Sequence, residues 1–327
     1  MNFKLKPLPS SSSSSSSSFA HLFCICFIVF FILQESTAQT ATTDPIEGSC
    51  VRGVTDWMGR LRRVGRRVVA GTVCYDWKIG GMGGSTTAEG GGNGWECGCW
   101  RSMGHNEFSG SLPKELGNLK ELNFLAIGSN NFSGTLPPEL GNLAKLHQLY
   151  MDSSGVGGEI PSTFANLQNM LIMWAFDCPL TGKIPDFIGN WTKLTALQIT
   201  DIYSGSSSLD FIRNMTKLTE LSLRNALIIG NIPSNIGEYL MLKTLDLSFN
   251  HLTGQITSAL FSIDALTHLF LGNNSLSGPL PLQKGVKLQT IDLSYNYLSG
   301  TFPSWVTTVG MLNLVGNNFT FDSSNSR

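Results

Sequence analysis

Residues Tyr239 to Thr257 read YLMLKTLDLSFNHLTGQIT, and the spacing of the apolar residues in this stretch decides the fold. Leu245 and Leu247 flank Asp246, so a short strand here directs both leucines to one face and the aspartate to the other. Asn250 follows where the chain must turn. Its amide can both donate to and accept from backbone groups that the turn would otherwise leave unpaired. The stretch is therefore one strand-and-turn unit with a single buried face.

The same frame recurs along most of the chain at intervals of 24 residues. The full units begin at Leu119, Leu143, Leu167, Trp191, Met215, Tyr239 and Ile263, and two shorter units open at Gly285 and Val306. One unit buries too few apolar side chains to offset the entropy of ordering its residues, so neighbouring units must stack. This period indicates leucine-rich repeats and predicts an α/β-type repeat solenoid over residues 104–321. Its expected form is a horseshoe with a parallel concave β-sheet and few regular helices.

Asparagines at the turn position of successive units are expected to stack into a hydrogen-bonded ladder. The predicted ladder residues are Asn130, Asn250, Asn274, Asn296 and Asn317. Other residues interrupt the ladder at Ser154, Cys178, Ile202 and Ala226. Each missing ladder bond costs about 1 kcal/mol, so the middle of the array is expected to open before its ends.

The chain begins with a predicted secretory signal peptide over residues 1–38. Lys4 and Lys6 precede a serine tract and an apolar run from Phe19 to Leu33, and small residues at 36–38 form a cleavage pattern. A membrane anchor is the less favoured interpretation, because a helix of this run reaches about 22 Å and the hydrocarbon core is about 30 Å thick. We therefore predict entry into the secretory pathway and an extracellular or cell-surface location.

Five Asn-x-Ser/Thr sequons are consistent with export and are predicted glycosylation sites. Their acceptor residues are Asn131, Asn190, Asn214, Asn273 and Asn318. The formal net charge of -1 over 327 residues shows no bias towards nucleic acid.

Residues 39–103 follow neither the signal-peptide pattern nor the repeat pattern. Arginines cluster at 60–67 without a recognition module, and the glycine tract 80–94 lacks the GxxxxGK[ST] motif of a phosphate-binding loop. Cys97 and Cys99 lack a second pair at zinc spacing, and disulfides are the default in an exported chain. This segment stands in place of an N-terminal cap, and we expect it to be disordered or to come from a mistaken gene structure. No metal site or cofactor is predicted, and residues 322–327 form a short tail.

Two segments match the plant-type consensus LxxLxxLxLxxNxLxGxIPxxLGNL: LKELNFLAIGSNNFSGTLPPELGN at 119–142 and IDALTHLFLGNNSLSGPLP at 263–281. Over residues 104–321 the chain resembles the ectodomain of plant leucine-rich-repeat receptor-like serine/threonine kinases. The stretches IPSTFANLQN and GKIPDFIGNWTKL are similar to the subgroup whose repeats are followed by a malectin-like domain. The kinase signatures HRD, DFG and VAIK are absent. The resemblance therefore implies a receptor chain truncated before its membrane helix and kinase, and not an enzyme.

The resemblance places function on outward positions of the concave strands. The candidate ligand-binding residues are Phe124, Tyr150, Asp152, Trp174, Phe176, Glu220, Arg224, His268 and Phe270. Tyr150 and Trp174 share one offset, so they are expected side by side on strands about 4.8 Å apart. The aromatic residues form either a recognition platform or cross-strand pairs that only stiffen the sheet. The charged residues, with Asp177 and Asp201 in neighbouring columns, either select a basic or polar peptide or form a solvated face.

We predict an extracellular recognition module of a receptor-like kinase that binds a peptide, a glycan or a co-receptor kinase ectodomain. Contact with a membrane is expected only through a missing C-terminal segment. The alternative is a secreted inhibitor similar to plant polygalacturonase-inhibiting proteins. It is less favoured because those proteins carry cysteine-paired caps at both ends and no cysteine follows Cys178. Catalysis is not predicted, because the histidines lie on different units and no nucleophile at a strained turn accompanies them.

Overall fold

The computed structural model describes residues 100–320. The predicted signal peptide, nearly all of the segment 39–103 and the tail 322–327 lie outside these residues. Ten short strands form one parallel sheet, which confirms the predicted fold class. In spatial order they are β1 (Trp100–Ser102), β3 (Phe124–Ala126), β5 (Gln148–Tyr150), β6 (Ile172–Ala175), β7 (Ala196–Ile199), β9 (Glu220–Ser222), β11 (Thr244–Asp246), β13 (His268–Phe270), β15 (Thr290–Asp292) and β17 (Met311–Asn313).

The strand leucines occupy one buried row. Leu125 pairs with Leu149, and through Met173 the register continues to Leu197 and, two strands further, to Leu245. All five side chains are fully buried. Apolar residues spaced 24 positions apart therefore form one row that runs across the sheet, as the offsets predict.

A second layer of parallel strands lies after the turn in most units, and the sequence did not predict it. Six of its strands form one sheet: β8 (Ser207–Ser208), β10 (Ile228–Asn231), β12 (His251–Gln255), β14 (Ser275–Gly278), β16 (Tyr297–Gly300) and β18 (Asn318–Phe319). Two more, β2 (Ser109–Ser111) and β4 (Asn131–Ser133), pair separately. In β12, Leu252 is buried while His251 and Thr253 are exposed, so this layer closes the core from the far side.

Short helices close most units, although none lies between β14 and β15. Seven are 3-10 helices: η1 (Lys114–Asn118), η2 (Pro138–Asn142), η3 (Ser162–Asn166), η4 (Asp186–Asn190), η5 (Leu209–Asn214), η6 (Ser234–Glu238) and η7 (Ser304–Thr307). One α-helix, α1 (Ser258–Phe261), is capped by the Thr257 side chain, which accepts from the Leu260 N–H. A Cβ on Gly189 would lie 2.2 Å from the carbonyl oxygen of Phe211, so glycine allows η4 and η5 to pack this closely.

The turn asparagines are hydrogen-bonded between units. The Asn250 Nδ2 donates to the carbonyl oxygens of Leu223 at 2.7 Å and Leu247 at 2.9 Å. Its Oδ1 accepts from the N–H groups of Ala226 at 3.1 Å and Ile228 at 2.9 Å. Equivalent bonds are made by Asn130, Asn274, Asn296 and Asn317. Each of these side chains thus satisfies backbone groups of its own unit and of the preceding one.

At two of the four positions where the asparagine ladder is interrupted, the side chain still hydrogen-bonds a backbone group. The Ser154 hydroxyl accepts from the N–H two residues later at 3.2 Å. The Cys178 thiol is free and buried, and it donates to the carbonyl oxygen of Met151 at 2.9 Å. Burial raises the pKa of this thiol to about 11, so it stays protonated and able to donate. Ile202 and Ala226 have no polar side-chain atom with which to replace the amide.

Threonine hydroxyls add a second set of bonds at the entry to three strands. Thr195 donates to the carbonyl oxygen of Leu171 at 3.0 Å, and Thr219 donates to that of Thr195 at 3.0 Å. Thr267 donates to the carbonyl oxygen of Lys243 at 2.9 Å. These bonds link units across part of the region where the asparagine ladder is interrupted.

The ten-stranded sheet begins before residue 104, where the sequence placed the start of the solenoid. Strand β1 pairs with β3, and Arg101 takes the register position of Leu125. Because an arginine stands where the repeat pattern has a leucine, the apolar periodicity does not reveal this strand. Within residues 100–320, no helix is both long and apolar enough to cross a membrane.

Candidate recognition surface on the ten-stranded sheet

Two columns of side chains flank the buried row and face outward from the ten-stranded sheet. The first outward column contains Phe124, Gln148, Ile172, Ala196, Glu220, Thr244, His268, Thr290 and Met311. The second outward column contains Ala126, Tyr150, Trp174, Gln198, Ser222, Asp246, Phe270, Asp292 and Asn313. Because the strands are parallel, each column is a continuous line of neighbouring residues from successive units.

Four of the predicted residues, Phe124, Tyr150, Trp174 and Phe176, form one aromatic cluster. The Trp174 ring meets the Tyr150 ring edge-on with centroids 4.9 Å apart. Phe124 lies 5.3 Å from Tyr150, and Phe176 lies 6.4 Å from Trp174. All four side chains are half-buried. The cluster therefore covers three neighbouring strands and keeps part of its apolar surface in contact with solvent.

The aromatic cluster contains one unsatisfied polar atom. The Trp174 Nε1 is buried and has no hydrogen-bond partner among residues 100–320. The nearby Tyr150 hydroxyl, in contrast, donates to Gln148 Oε1 at 3.2 Å. A buried N–H without an acceptor costs about 1–3 kcal/mol.

Asp152 lies in the turn after β5, close to the aromatic cluster. A Cβ on Gly128 would lie 2.7 Å from its Oδ1, so the carboxylate packs directly over the backbone of the preceding unit. Burial raises the pKa of Asp152, against a smaller lowering by its backbone hydrogen bond and by the charge of His105.

Glu220 and Arg224 lie further along the sheet, in the unit of β9. Burial raises the pKa of Glu220, and a hydrogen bond from Gln198 Nε2 partly offsets this effect. The Arg224 guanidinium lies over the Phe249 ring, 4.2 Å from its centroid, which holds this exposed cation by a cation–π contact.

His268 and Phe270 form a separate pair. Their rings are stacked with centroids 6.4 Å apart and an angle of 19° between planes. Burial lowers the pKa of His268. Strands β7, β9 and β11 separate this pair from the aromatic cluster, so the two sets of predicted residues do not form one site.

Sequence reasoning did not select Asp246 and Asp292, which flank Phe270 in the second outward column. Burial raises the pKa of Asp246, although its Oδ1 accepts from the N–H and the hydroxyl of Ser248. Asp292 makes the same pair of bonds with Ser294. Their offset is that of Tyr150 and Trp174, and this shared offset was the signal that could have identified them.

Asp177 and Asp201 have local partners at the turns. Both residues have positive φ angles, 54° and 58°, in the left-handed region that aspartate tolerates. Asp177 accepts from the Ser153 hydroxyl at 3.0 Å, and Asp201 accepts from Asn225 Nδ2 at 2.8 Å. These bonds support a structural role for the two aspartates. In the described part of the chain, no group of three or more His, Cys, Asp or Glu side chains is arranged to hold a metal ion.

No sequon asparagine lies in either outward column of the ten-stranded sheet. Asn131, Asn190, Asn214 and Asn318 are exposed elsewhere on the solenoid. Asn273 is half-buried in the turn after β13, with a φ of 55°. The attachment points of the predicted glycans therefore lie outside both outward columns.

The comparisons with known proteins agree with this architecture. Residues 102–226 match the family described as leucine-rich repeat region, and residues 241–263 and 287–309 match the family described as leucine rich repeat. Together with the parallel sheet and the buried leucine row, these matches define the class of protein: a leucine-rich-repeat solenoid.

Its repeats are similar to those of plant receptors. The plant peptide hormone receptor RGFR1, solved in complex with RGF2, is 31% identical with a TM-score of 0.60 over 66% of this chain and 35% of that chain. The Arabidopsis receptor kinase HAESA, solved in complex with the peptide hormone IDA and the co-receptor SERK1, is 33% identical with a TM-score of 0.59 over 67% of this chain and 37% of that chain. A probable LRR receptor-like serine/threonine-protein kinase of Arabidopsis thaliana is 50% identical over 60 residues, which are 18% of this chain and 6% of that kinase.

The chain thus spans little more than a third of the length of the two solved receptors. At the level of a leucine-rich-repeat receptor kinase ectodomain, the resemblance predicted from the consensus is confirmed. The malectin-like subgroup stays a prediction.

Proposed function

We propose that this chain is the extracellular recognition module of a plant receptor-like kinase and that it binds its ligand on the ten-stranded sheet. The aromatic cluster at Phe124, Tyr150, Trp174 and Phe176 is the observation that carries the proposal. It joins three strands into one half-exposed apolar surface. Aromatic residues of this kind dominate the binding energy of protein interfaces.

The unsatisfied Trp174 N–H favours binding over a purely structural role for the cluster. If the rings served only as cross-strand pairs that stiffen the sheet, nothing would require a buried N–H to lack an acceptor. Nε1 is covered by its surroundings, so a ligand carbonyl would satisfy it, and bury the adjoining rings, after a small movement of the indole. The absence of sequon asparagines from both outward columns adds to the case for a free surface.

Among the expected ligands, we favour a peptide. A peptide supplies backbone carbonyls for the Trp174 N–H and side chains for the aromatic surface. Asp152, in the turn after β5, and Glu220, in β9 of the sheet, would favour basic or polar side chains at the neighbouring positions. RGFR1 and HAESA were each solved in complex with a peptide hormone, which is consistent with this choice. A co-receptor ectodomain, as in the HAESA complex, is a further expected partner.

Selection of random peptides on the full chain tests the proposal. The chain, secreted from cultured plant cells and immobilised, is panned with a phage-displayed library of random twelve-residue peptides. We expect the selected peptides to lose at least about tenfold in affinity with Trp174→Ala, because a tenfold change corresponds to only about 1.4 kcal/mol. Trp174→Phe retains the ring but lacks the N–H, and its loss is expected to be smaller.

Tyr203→Ala serves as the matched control. Tyr203 is 75% exposed and lies outside both outward columns, so its removal is expected to leave peptide affinity unchanged. Selected peptides that bind the wild type and Trp174→Ala equally would contradict the proposal. Circular dichroism of each variant separates a loss of binding from a loss of fold.

A further inference from the structure

The outward columns of the ten-stranded sheet have an apolar half and an acidic half. The aromatic cluster occupies the half from β3 to β6. From β9 to β15 the columns contain three acidic residues, Glu220, Asp246 and Asp292. Between β3 and β17 neither column contains a lysine or an arginine, although the whole chain has 22 basic and 23 acidic residues. The second half of this surface is therefore complementary to a basic partner.

Phe270 lies in this acidic half with a carboxylate on each side. Asp246 and Asp292 are its two neighbours within the second outward column. Because adjacent strands are about 4.8 Å apart, the two aspartates lie about 10 Å from each other with the ring between them. All three side chains are half-buried, so each keeps part of its surface in contact with solvent. We refer to Asp246, Phe270 and Asp292 together as the Phe270 subsite.

The two carboxylates of the Phe270 subsite are held in the same way. In each aspartate, Oδ1 accepts from the N–H at 2.9 Å and from the hydroxyl at 2.6 Å of the serine two positions later, Ser248 or Ser294. Within residues 100–320, Oδ2 of each aspartate has no hydrogen-bond partner and is not fully buried. Neither aspartate forms an ion pair within the same residues. Each carboxylate is therefore fixed through one oxygen and can accept from a ligand through the other.

A glycine lets the second carboxylate lie close to the ring. A Cβ on Gly272, two residues after Phe270, would lie 3.1 Å from Asp292 Oδ1 and 3.0 Å from Ser294 Oγ. Asp292 therefore lies over the backbone of the unit that carries the ring, in space that a side chain at position 272 would fill.

Two basic side chains lie near the Phe270 subsite, and neither neutralises it. Arg224 is held over the Phe249 ring at 4.2 Å and forms no ion pair with Asp246 in the described part of the chain. Burial raises the pKa of Asp246, and the charge of Arg224 offsets this only in part. His268 stacks on Phe270, and burial lowers its pKa, so this imidazole is mostly uncharged at pH 7.

We propose that the Phe270 subsite binds an arginine side chain of the peptide ligand, with the guanidinium over the Phe270 ring and between the carboxylates of Asp246 and Asp292. The guanidinium of Arg224 over Phe249 is an example of the same ring contact within this chain. Arginine fits better than lysine, because its planar group stacks on a ring while its N–H groups donate to acceptors at both sides. The inference rests on the proposed function and deepens it, since it defines the charge of the ligand and the place where that charge binds.

The spacing of the two subsites predicts a spacing in the ligand. Trp174 and Phe270 belong to the same column and are four strand spacings apart, which is about 19 Å. An extended peptide advances about 3.3 Å per residue, so about six residues connect the two positions. We therefore expect the arginine about six positions away from the ligand residue that contacts Trp174.

The peptides selected on the full secreted chain from the random twelve-residue library are the probes for this inference. We expect them to share an arginine about six positions from an apolar residue. Replacing this arginine with citrulline keeps the shape of the side chain and removes its charge, and affinity for the wild type is expected to fall at least about tenfold. On the double variant Asp246→Asn, Asp292→Asn, the same replacement is expected to change affinity by less than about twofold.

The variants are chosen to keep the fold. Asparagine retains Oδ1 as an acceptor for the groups of Ser248 and Ser294, and circular dichroism checks that the double variant is folded. Phe270→Leu keeps an apolar side chain without a ring, so it is expected to weaken binding of the arginine peptide more than that of the citrulline peptide. Asp264→Asn is the matched control, because it removes one negative charge at an exposed position outside both columns. It is expected to leave the effect of citrulline unchanged.

Selected peptides without a shared basic residue, or an equal effect of citrulline on the wild type and on the double variant, would overturn the inference. If such peptides still lose affinity with Trp174→Ala, the proposed recognition site stands. Conversely, arginine-dependent binding that requires Asp246 and Asp292 but not Trp174 would support the Phe270 subsite and remove only the aromatic site. Panning that yields no binding peptide would overturn both.

Discussion

The indole ring of Trp174 meets the ring of Tyr150 edge-on at 4.9 Å, although 24 positions separate the two residues in the chain. The contact exists because both residues occupy the second outward column on neighbouring parallel strands. Residues one repeat period apart therefore lie on neighbouring strands, so residues far apart in the chain are in direct contact.

The Tyr150–Trp174 contact is expected to stabilise the fold even without ligand. A double-mutant cycle with Tyr150→Ala and Trp174→Ala, measured by urea denaturation, should give a coupling energy of about 0.5–1.5 kcal/mol, as for other aromatic pairs. The same cycle between Tyr150 and Phe270, which lie five strands apart, should give a value near zero. A coupling near zero for the first pair would mean that the rings are neighbours without mutual stabilisation.

Asn250→Ala is expected to destabilise the solenoid by more than about 2 kcal/mol. The substitution leaves buried N–H and carbonyl groups of two units without partners, and each such group costs about 1–3 kcal/mol. The control is Asn235→Ala, which removes one exposed hydrogen bond to the carbonyl oxygen of Arg213 and should cost less than about 1 kcal/mol. If Asn250→Ala and Asn235→Ala lowered the free energy of unfolding equally in chemical denaturation, the ladder bonds would contribute no more than an exposed hydrogen bond.

Glu220 is expected to make stability depend on pH. Burial raises its pKa above the ordinary value of 4.5, so the folded state holds this proton more tightly than the unfolded state. The resulting stabilisation is fully present below pH 4.5 and is lost as the pH rises through the folded pKa.

Glu220→Gln stays neutral and can still accept from Gln198, so this variant should exceed the wild type in denaturation midpoint at pH 7. The difference should shrink at pH 4. Glu115→Gln, at an exposed position, controls for the loss of one negative charge. A constant difference between wild type and Glu220→Gln at both pH values would contradict the assignment.

Amide hydrogens in the units of Ile202 and Ala226 are expected to exchange sooner than those in the unit of Asn250. Neither Ile202 nor Ala226 supplies a side-chain ladder bond, and of the two units only that of Ala226 receives such bonds, from Asn250. Local opening costs least where such bonds are missing, so the unit of Ile202 is expected to exchange first. Hydrogen-exchange mass spectrometry resolved by peptide measures this order on the protein without glycans. The Cys178 thiol offers a second probe, because its burial blocks alkylation until the neighbouring units open. Uniform protection across the array would contradict the prediction.

Much of the fold followed from the repeat period. The buried row through Leu125, Leu149 and Leu197 was predictable, because alternation places leucines on one face and a constant period aligns them across strands. The second strand layer was not predicted, since its segments are short and pair only after the first layer has stacked the units. Strand β1 was missed because Arg101 stands where the pattern expects leucine.

The candidate site was predictable in part. Tyr150 and Trp174 were expected to be neighbours from their common offset, and they are. The contact of Phe124 with Tyr150 joins the first outward column to the second, and offsets alone do not give such diagonal distances. Arg224 over Phe249 is a contact between turns of adjacent units, which depends on the path of both turns.

By itself, the sequence determined that the chain is a stack of units, which residues face the core and which asparagines stand at the turns. These properties depend on residue type and period, and both are local. The tertiary structure alone decided which outward side chains touch, that Trp174 Nε1 lacks a partner and that η4 and η5 approach closely at Gly189. The physical reason is that such distances depend on how closely neighbouring units approach, and this approach depends on the combined volume of core side chains from both units.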